Sequence, residues 1–454
     1  MSPSSLSTVR TSPFDKYEFK LEPGDDACQL SLFRRWLAVA TICGTAFCVA
    51  CASSIAAFTV EAVSRQFHVG KEVATLGISL YALGLGTGPL FTGPLSEVYG
   101  GNIVYRVSLV LFFAFNSPIP FSPHIGFCGA TSLTVAGGSV GDMFSNMTIG
   151  TPMAVFTITQ FLGPEFGPLL SGFINQNMIW RCTYYFLIIW SFMQAVALIC
   201  FVPEIYVPVI LKWKAQHLRE ITGDWKYYAP LEKENVNLGH AILVSCYRPF
   251  QLILCDRMAL LIDVWNAFLL GVQYLAFEVD PFFLQTTGLT FLAIAIGFLV
   301  GFATTPYWNE RYRRFVERNG DPPPEFRLRM GQVGGALVSL SLFWLAFTTY
   351  EHGHWITIIA SVPFGTCTYF VFASSFTYLL VAYRPIAASA MASNIAMRAT
   401  FASVFPLFAT RMNHTLGTVR ATSLLACVAT AMAPLPFVFY RIGARLREKS
   451  KFAA

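Results

Sequence analysis

The sequence predicts an all-α polytopic membrane protein, and three observations carry that reading. Of 454 residues, 55% are hydrophobic and only 12% are charged, with mean hydropathy +0.54. Soluble chains carry roughly 25% charged residues. The apolar residues gather into twelve runs, each close to the ~20 residues a helix needs to cross the hydrocarbon core. The basic residues fall almost entirely on alternate connections between those runs, the asymmetry expected of cytosolic loops.

Residues 1–35, rich in Ser, Pro and charge, read as a disordered cytosolic tail without a signal-peptide pattern. Spans 1 to 6 are predicted at 36–58, 73–95, 103–121, 124–144, 151–173 and 182–202. A polar segment at 203–257, rich in Lys, Arg, Glu and Trp, reads as a cytosolic hinge. Spans 7 to 12 follow at 258–280, 288–308, 331–349, 355–380, 386–410 and 419–440, and 441–454 is a basic cytosolic tail. The layout suggests two six-helix halves, 36–202 and 258–440, each built of three-helix repeats.

With both termini in the cytosol, cytosolic segments hold 25 of the 31 basic residues. Outer segments hold only Arg65, Lys71, Arg181, Arg411 and Arg420, and Arg398 falls inside span 11. Residues 103–144 are a tight fit for two passes and a turn. A single pass there would invert every later loop and put the basic hinge outside, so two short or tilted passes are expected.

The eleven cysteines lie mostly within apolar runs. Cys48 and Cys51 have redox or zinc spacing, but in an apolar helix with no second ligand pair they read as packing residues, and no metal site is expected. No nucleotide loop, nucleophile–base set or nucleic-acid motif appears, which argues against an enzyme, an ATP-driven pump and a nucleic-acid partner. The formal charge of +6 is accounted for by the cytosolic loops.

Span 5 is interrupted by Gly163-Pro164-Glu165-Phe166-Gly167-Pro168. A proline inside a helix costs about 3 kcal/mol or more, because it removes a donor and clashes with the preceding turn. Membrane helices tolerate it where neighbours satisfy the freed carbonyls. At 100° per residue Gly163 and Gly167 share a face, Pro164 and Pro168 line the adjacent one, and Glu165 points away from the glycines. Small residues at this spacing let helices approach closely. A carboxyl at the bilayer centre costs about 2.5–3.5 kcal/mol and usually faces a cavity. Glu165 is therefore either a reversible proton carrier or a neutral packing carboxyl. On depth alone Asp263 and Glu278 in span 7 and Arg398 in span 11 are further proton or substrate candidates. The aromatics Phe268, Tyr274, Phe277 and Phe283 are candidates for an adaptable cavity wall.

Gly93-Pro94-Leu95-Ser96-Glu97-Val98-Tyr99-Gly100, read as a tight turn after span 2, resembles the signature loop of the major facilitator superfamily, with Glu97 in the acid position between Gly93 and Gly100. Gly101 and Asn102 stand where that loop has two basic residues. The glycine–proline pattern of span 5 resembles the antiporter motif of the same superfamily. With Pro203-Glu204-Ile205-Tyr206, Arg248-Pro249-Phe250 and the stretch from Ala387 through Arg398 to Phe405-Pro406-Leu407-Phe408, the chain from about Arg34 onward is similar to fungal twelve-span drug:proton antiporters. The resemblance implies two six-helix bundles related by pseudo-twofold symmetry. It implies proton-coupled efflux of small apolar or cationic organic compounds, whether drugs, polyamines or a secondary metabolite, by a plasma-membrane monomer. The energy source is the proton gradient, with no cofactor; the partners are a small-molecule substrate and the lipid bilayer. The span 5 glycines and prolines would pack the halves together and restrict leak. One departure stands out. His124-Ile125-Gly126 runs straight into Phe127-Cys128-Gly129, so span 4 is shortened and the arginine that opens it in the family is absent. No Lys or Arg lies between Arg106 and Arg181. A transport-impaired paralogue or membrane sensor, and an uptake carrier, are the alternatives.

Overall fold

A computed structural model describes residues 31–116, 123–144, 148–204, 207–223, 238–275, 284–320, 323–348, 354–383 and 386–449. Every regular element among them is helical. The first half contains α1 (Leu32–Ser54), a short α2 (Val60–Phe67), α3 (Lys71–Tyr99), α4 (Gly101–Asn116), α5 (Pro123–Met143), α6 (Gly150–Asn177) and α7 (Arg181–Phe201). Between the halves lie α8 (Val207–Thr222) and α9 (Leu238–Cys255). The second half contains α10 (Arg257–Leu275), α11 (Leu284–Ala303), α12 (Thr305–Asn319), α13 (Arg329–Thr348), α14 (His354–Ala382), α15 (Ala387–Leu416), α16 (Thr418–Met432) and α17 (Leu435–Lys449).

A helix stands at each predicted span, with instructive differences in extent. α3 runs on to Tyr99, so most of the expected tight turn is helical. Its prolines cost donors without ending the helix; Gly100 ends it by taking φ 94°, a conformation other residues rarely adopt. α6 is likewise unbroken through Pro164 and Pro168. The tight stretch resolves into 16 residues of α4 and 21 of α5. α4 is then only about 24 Å long, and the shortage falls there. α12 continues α11 as a charged helix, held by Arg314 to Glu310 at 2.9 Å and Arg313 to Glu310 at 2.8 Å.

The packing repeats between halves. α1 against α6, α3 against α5 and α4 against α7 correspond to α10 against α15, α11 against α14 and α13 against α16. The halves meet where α3 packs on α15 and α6 on α11, contacts that a twofold exchange converts into each other. Each half has its own apolar core, and the cores interpenetrate. Phe161 of α6 belongs to the second core, Ile395 and Ala399 of α15 to the first. Large apolar side chains such as Phe173, Leu340 and Phe347 are instead exposed, as suits helices facing lipid. Among the described residues, eight helical stretches are long and apolar enough to cross a membrane by length and composition.

Candidate functional site

The glycines of α6 face α1. A Cβ at Gly163 would sit 2.3 Å from the Cβ of Ala50, and one at Gly167 would sit 2.1 Å from Ser54 Oγ and 2.7 Å from the carbonyl of Cys51. Only glycine fits at either place. The glycine face therefore seals two helices of one half, contrary to the expectation that it packs the halves together. The reason is the register: Ala50, Cys51 and Ser54 form a matching small face on α1, and small-on-small contact brings the two backbones together.

The opposite side of α6 reaches the other half. Glu165, 1% exposed, accepts a hydrogen bond from Gln273 Nε2 of α10. Glu165 Oε2 and Gln273 Oε1 have no partner among the described residues. Nearby, Ser53 of α1 and Tyr274 of α10 join their hydroxyls at 2.7 Å. Ser53 also donates to the carbonyl of Ala50 at 2.7 Å, so Tyr274 is the donor across the interface. Two polar contacts thus tie the halves within this buried layer, where an unmade hydrogen bond is expensive.

Arg398 of α15 is 5% exposed. Its guanidinium lies 4.7 Å from the ring centre of Phe376, 5.5 Å from Phe161 and 5.7 Å from Phe372. Phe161 of α6 stacks on Phe372 of α14 at 4.1 Å and 18°, so one wall of the arginine site crosses between halves. Asp263 of α10, fully buried, accepts from Ser393 Oγ at 2.9 Å and Asn394 Nδ2 at 2.8 Å. Both its oxygens are occupied by α15, whereas Arg398 Nε has no hydrogen-bond partner among the described residues. A cavity of about 50 Å³ lies at the centre, lined by Ser53, Gln160, Pro164, Tyr274, Arg398 and several small apolar residues. Room for one or two waters marks a closed arrangement.

The structure brings Glu165, Pro164 and Arg398 to this central layer and places Asp263 one contact away on the α10–α15 seam. Gly93 meets only ordinary contact with Thr134. Glu97 lies in the last turn of α3, and nothing is described of its side chain; Glu278, Phe277 and Phe283 lie outside the described residues. Phe268 packs on Phe405 at 6.3 Å, within the second half. Asn102, at a position where the motif has a base, ties the α3–α4 turn to the end of α7 through the carbonyl of Val202 at 2.9 Å and Glu204 Oε2 at 3.2 Å. Sequence reasoning passed over Gln160, Gln273 and Ser53. Their signal was neutral polar side chains inside apolar runs, weaker than a charge but governed by the same cost of burial.

The chain matches the Major Facilitator Superfamily over residues 42–399. It is 41% identical over 395 residues to the efflux pump atB of Aspergillus terreus, covering 81% of this chain and 83% of that protein. It is 38% identical to the probable drug/proton antiporter YHK8 of Saccharomyces cerevisiae, covering 95% and 88%. Among solved structures it is similar to the proton:xylose symporter XylE, with TM-score 0.63 and 12% identity over 90% of this chain and 96% of that one.

Proposed function

Since the chain belongs to the major facilitator superfamily, we propose that it is a proton-coupled secondary transporter that exports small organic compounds by alternating access. It is a transporter and not an enzyme. The relatives named as efflux pump and drug/proton antiporter support the direction and the coupling ion. The observation that carries the reading is Glu165, a carboxyl buried in α6 and bonded to Gln273 of the other half. An ionised Glu165 holds that amide through a charge-assisted bond; a proton halves its strength, roughly, and loosens the halves. Asp263 is a second buried carboxyl, bonded within its own half and not needed for coupling. Ser393 has one hydroxyl hydrogen and two acceptors, Asp263 and the carbonyl of Ala390 at 2.8 Å, and a proton on Asp263 would satisfy all three groups.

On this reading 36–202 and 258–440 are the moving halves and 203–257 is a cytosolic hinge. Both termini are cytosolic, and a monomer in the plasma membrane draws on the proton gradient without a cofactor. Drugs, polyamines and secondary metabolites are the first cargoes to test. Flux into inside-out vesicles under an imposed pH gradient tests the proposal: gradient-dependent uptake of a cargo supports it, and correct insertion without flux overturns it. The missing arginine between Arg106 and Arg181 favours a second reading, a transport-impaired paralogue. That reading predicts ligand binding without gradient-driven flux.

A further inference from the structure

We infer that the central cavity, widened when the halves part from the closed arrangement, is a binding site for organic anions, specifically flat aromatic carboxylates, with Arg398 as the anchor. This deepens the exporter reading and rests on it for the direction of transport, but the site itself is a matter of binding. Arg398 is the only charged residue lining the cavity among the described residues. The carboxylate that acts on it electrostatically, Asp263, gives both oxygens to Ser393 and Asn394. A buried cation whose Nε finds no acceptor is expensive to keep, and an incoming carboxylate relieves that cost with a charge-assisted, commonly bidentate contact.

The neighbouring polar groups fit the same ligand. Gln160 Nε2 lines the cavity with no acceptor among the described residues. Tyr274 brings a hydroxyl that today donates to Ser53. The polar chemistry of the cavity is thus mainly that of donors, and a carboxylate is purely an acceptor. The apolar part of the ligand is set by Phe161, Leu85, Leu133 and Leu270 of the cavity wall, while Phe372 and Phe376 flank the guanidinium beside Phe161 without lining the cavity. An arginine held over aromatic faces is a suitable platform for a second flat ring. A cation in this cavity would meet Arg398 at close range with no acidic lining residue to offset it.

The test is equilibrium binding to the full-length protein in lipid nanodiscs, measured by calorimetry with three probes of one shape: 2-naphthoate, 2-naphthalenemethanol and 2-naphthylmethylammonium. The expected order is carboxylate first, by at least about tenfold over the alcohol, with the ammonium weakest. In Arg398→Gln the preference for carboxylate over alcohol disappears, while Arg398→Lys keeps part of it. Equal binding of alcohol and carboxylate, stronger binding of the ammonium, no binding of any probe, or an unchanged preference in Arg398→Gln overturns the proposal. The ranking on the unaltered protein decides the matter even where a variant misfolds. Vesicle flux is read separately. Carboxylate-selective binding without flux removes the exporter reading and leaves the anion site; flux of other compounds with no carboxylate selectivity does the reverse.

Discussion

Glu165 and Asp263 are both buried carboxyls, yet their surroundings assign them different sensitivities. Glu165 makes one bond, to a side chain on the opposite half, and has an oxygen with no described partner. Asp263 makes two bonds, both to α15, the helix it already packs against. Glu165→Gln removes the titratable proton at constant shape. Gradient-driven export is expected to fall by at least about tenfold, the size of effect that loss of one charge-assisted bond produces. Gradient-free exchange of labelled cargo should continue, and unchanged coupling in a reconstituted flux assay would remove Glu165 from the proton path. At Asp263 the asparagine variant can accept from Asn394 and donate to Ser393, which then donates to Ala390. Asp263→Asn should keep its melting temperature and its coupling, whereas Asp263→Ala leaves the buried amide of Asn394 without its acceptor at a cost of about 1–3 kcal/mol. Thermal unfolding in detergent separates the two.

At the scale of elements, the α1–α6 seam depends on two glycines that leave no room for a methyl group. Gly163→Ala drives a Cβ into Ala50 and should destabilise by about 1–3 kcal/mol, the usual range for overpacking. Adding Ala50→Gly removes the nearest clash, though not the backbone contacts at 3.0 Å. The double variant should recover part of the loss, and equal melting temperatures for single and double variants would exclude this contact as the cause. Gly163 and Gly167 were legible as an adjacent small pair because period 3.6 fixes which residues share a face. Their partner was not, because the sequence of α6 says nothing of which small face it meets. Span positions were legible for a related reason: a helix in lipid must be apolar for its whole length. α12 escaped notice because it lies beyond the apolar run and draws support from Glu310–Arg pairs rather than burial. α9 escaped because Arg248-Pro249 inside its sequence reads as a breaker, yet the helix continues through Pro249 and packs on α15. Arg398 was legible from its charge alone; its aromatic surround was not, since Phe161 and Phe372 come from helices of different halves.

In the whole molecule, the arrangement described here is held closed around its cavity by contacts that are few and identifiable. The two main packing seams, α3–α15 and α6–α11, join the halves, Phe161 of α6 stacks on Phe372 of α14, and the Ser53–Tyr274 and Glu165–Gln273 bonds join α1 and α6 to α10. Packing seams between rocking bodies persist in more than one arrangement, because interdigitated side chains can pivot. A 2.7 Å hydroxyl pair cannot survive even a small separation, since hydrogen bonds weaken steeply with distance and angle. Ser53–Tyr274 therefore stabilises this arrangement selectively, and only a contact that differs between states shifts their populations. Tyr274→Phe keeps the ring and removes the hydroxyl; Ser53 still has the carbonyl of Ala50 to donate to. The lost bond is worth about 0.5–1.5 kcal/mol, which raises the open population by roughly two- to tenfold. A cysteine placed at Ala402 on the cavity wall reports that population through its rate of reaction with a water-soluble maleimide. The rate should rise by that factor in Tyr274→Phe, with melting temperature little changed. An unaltered rate would mean that the hydroxyl pair persists in both arrangements, and that closure rests on the other contacts between the halves.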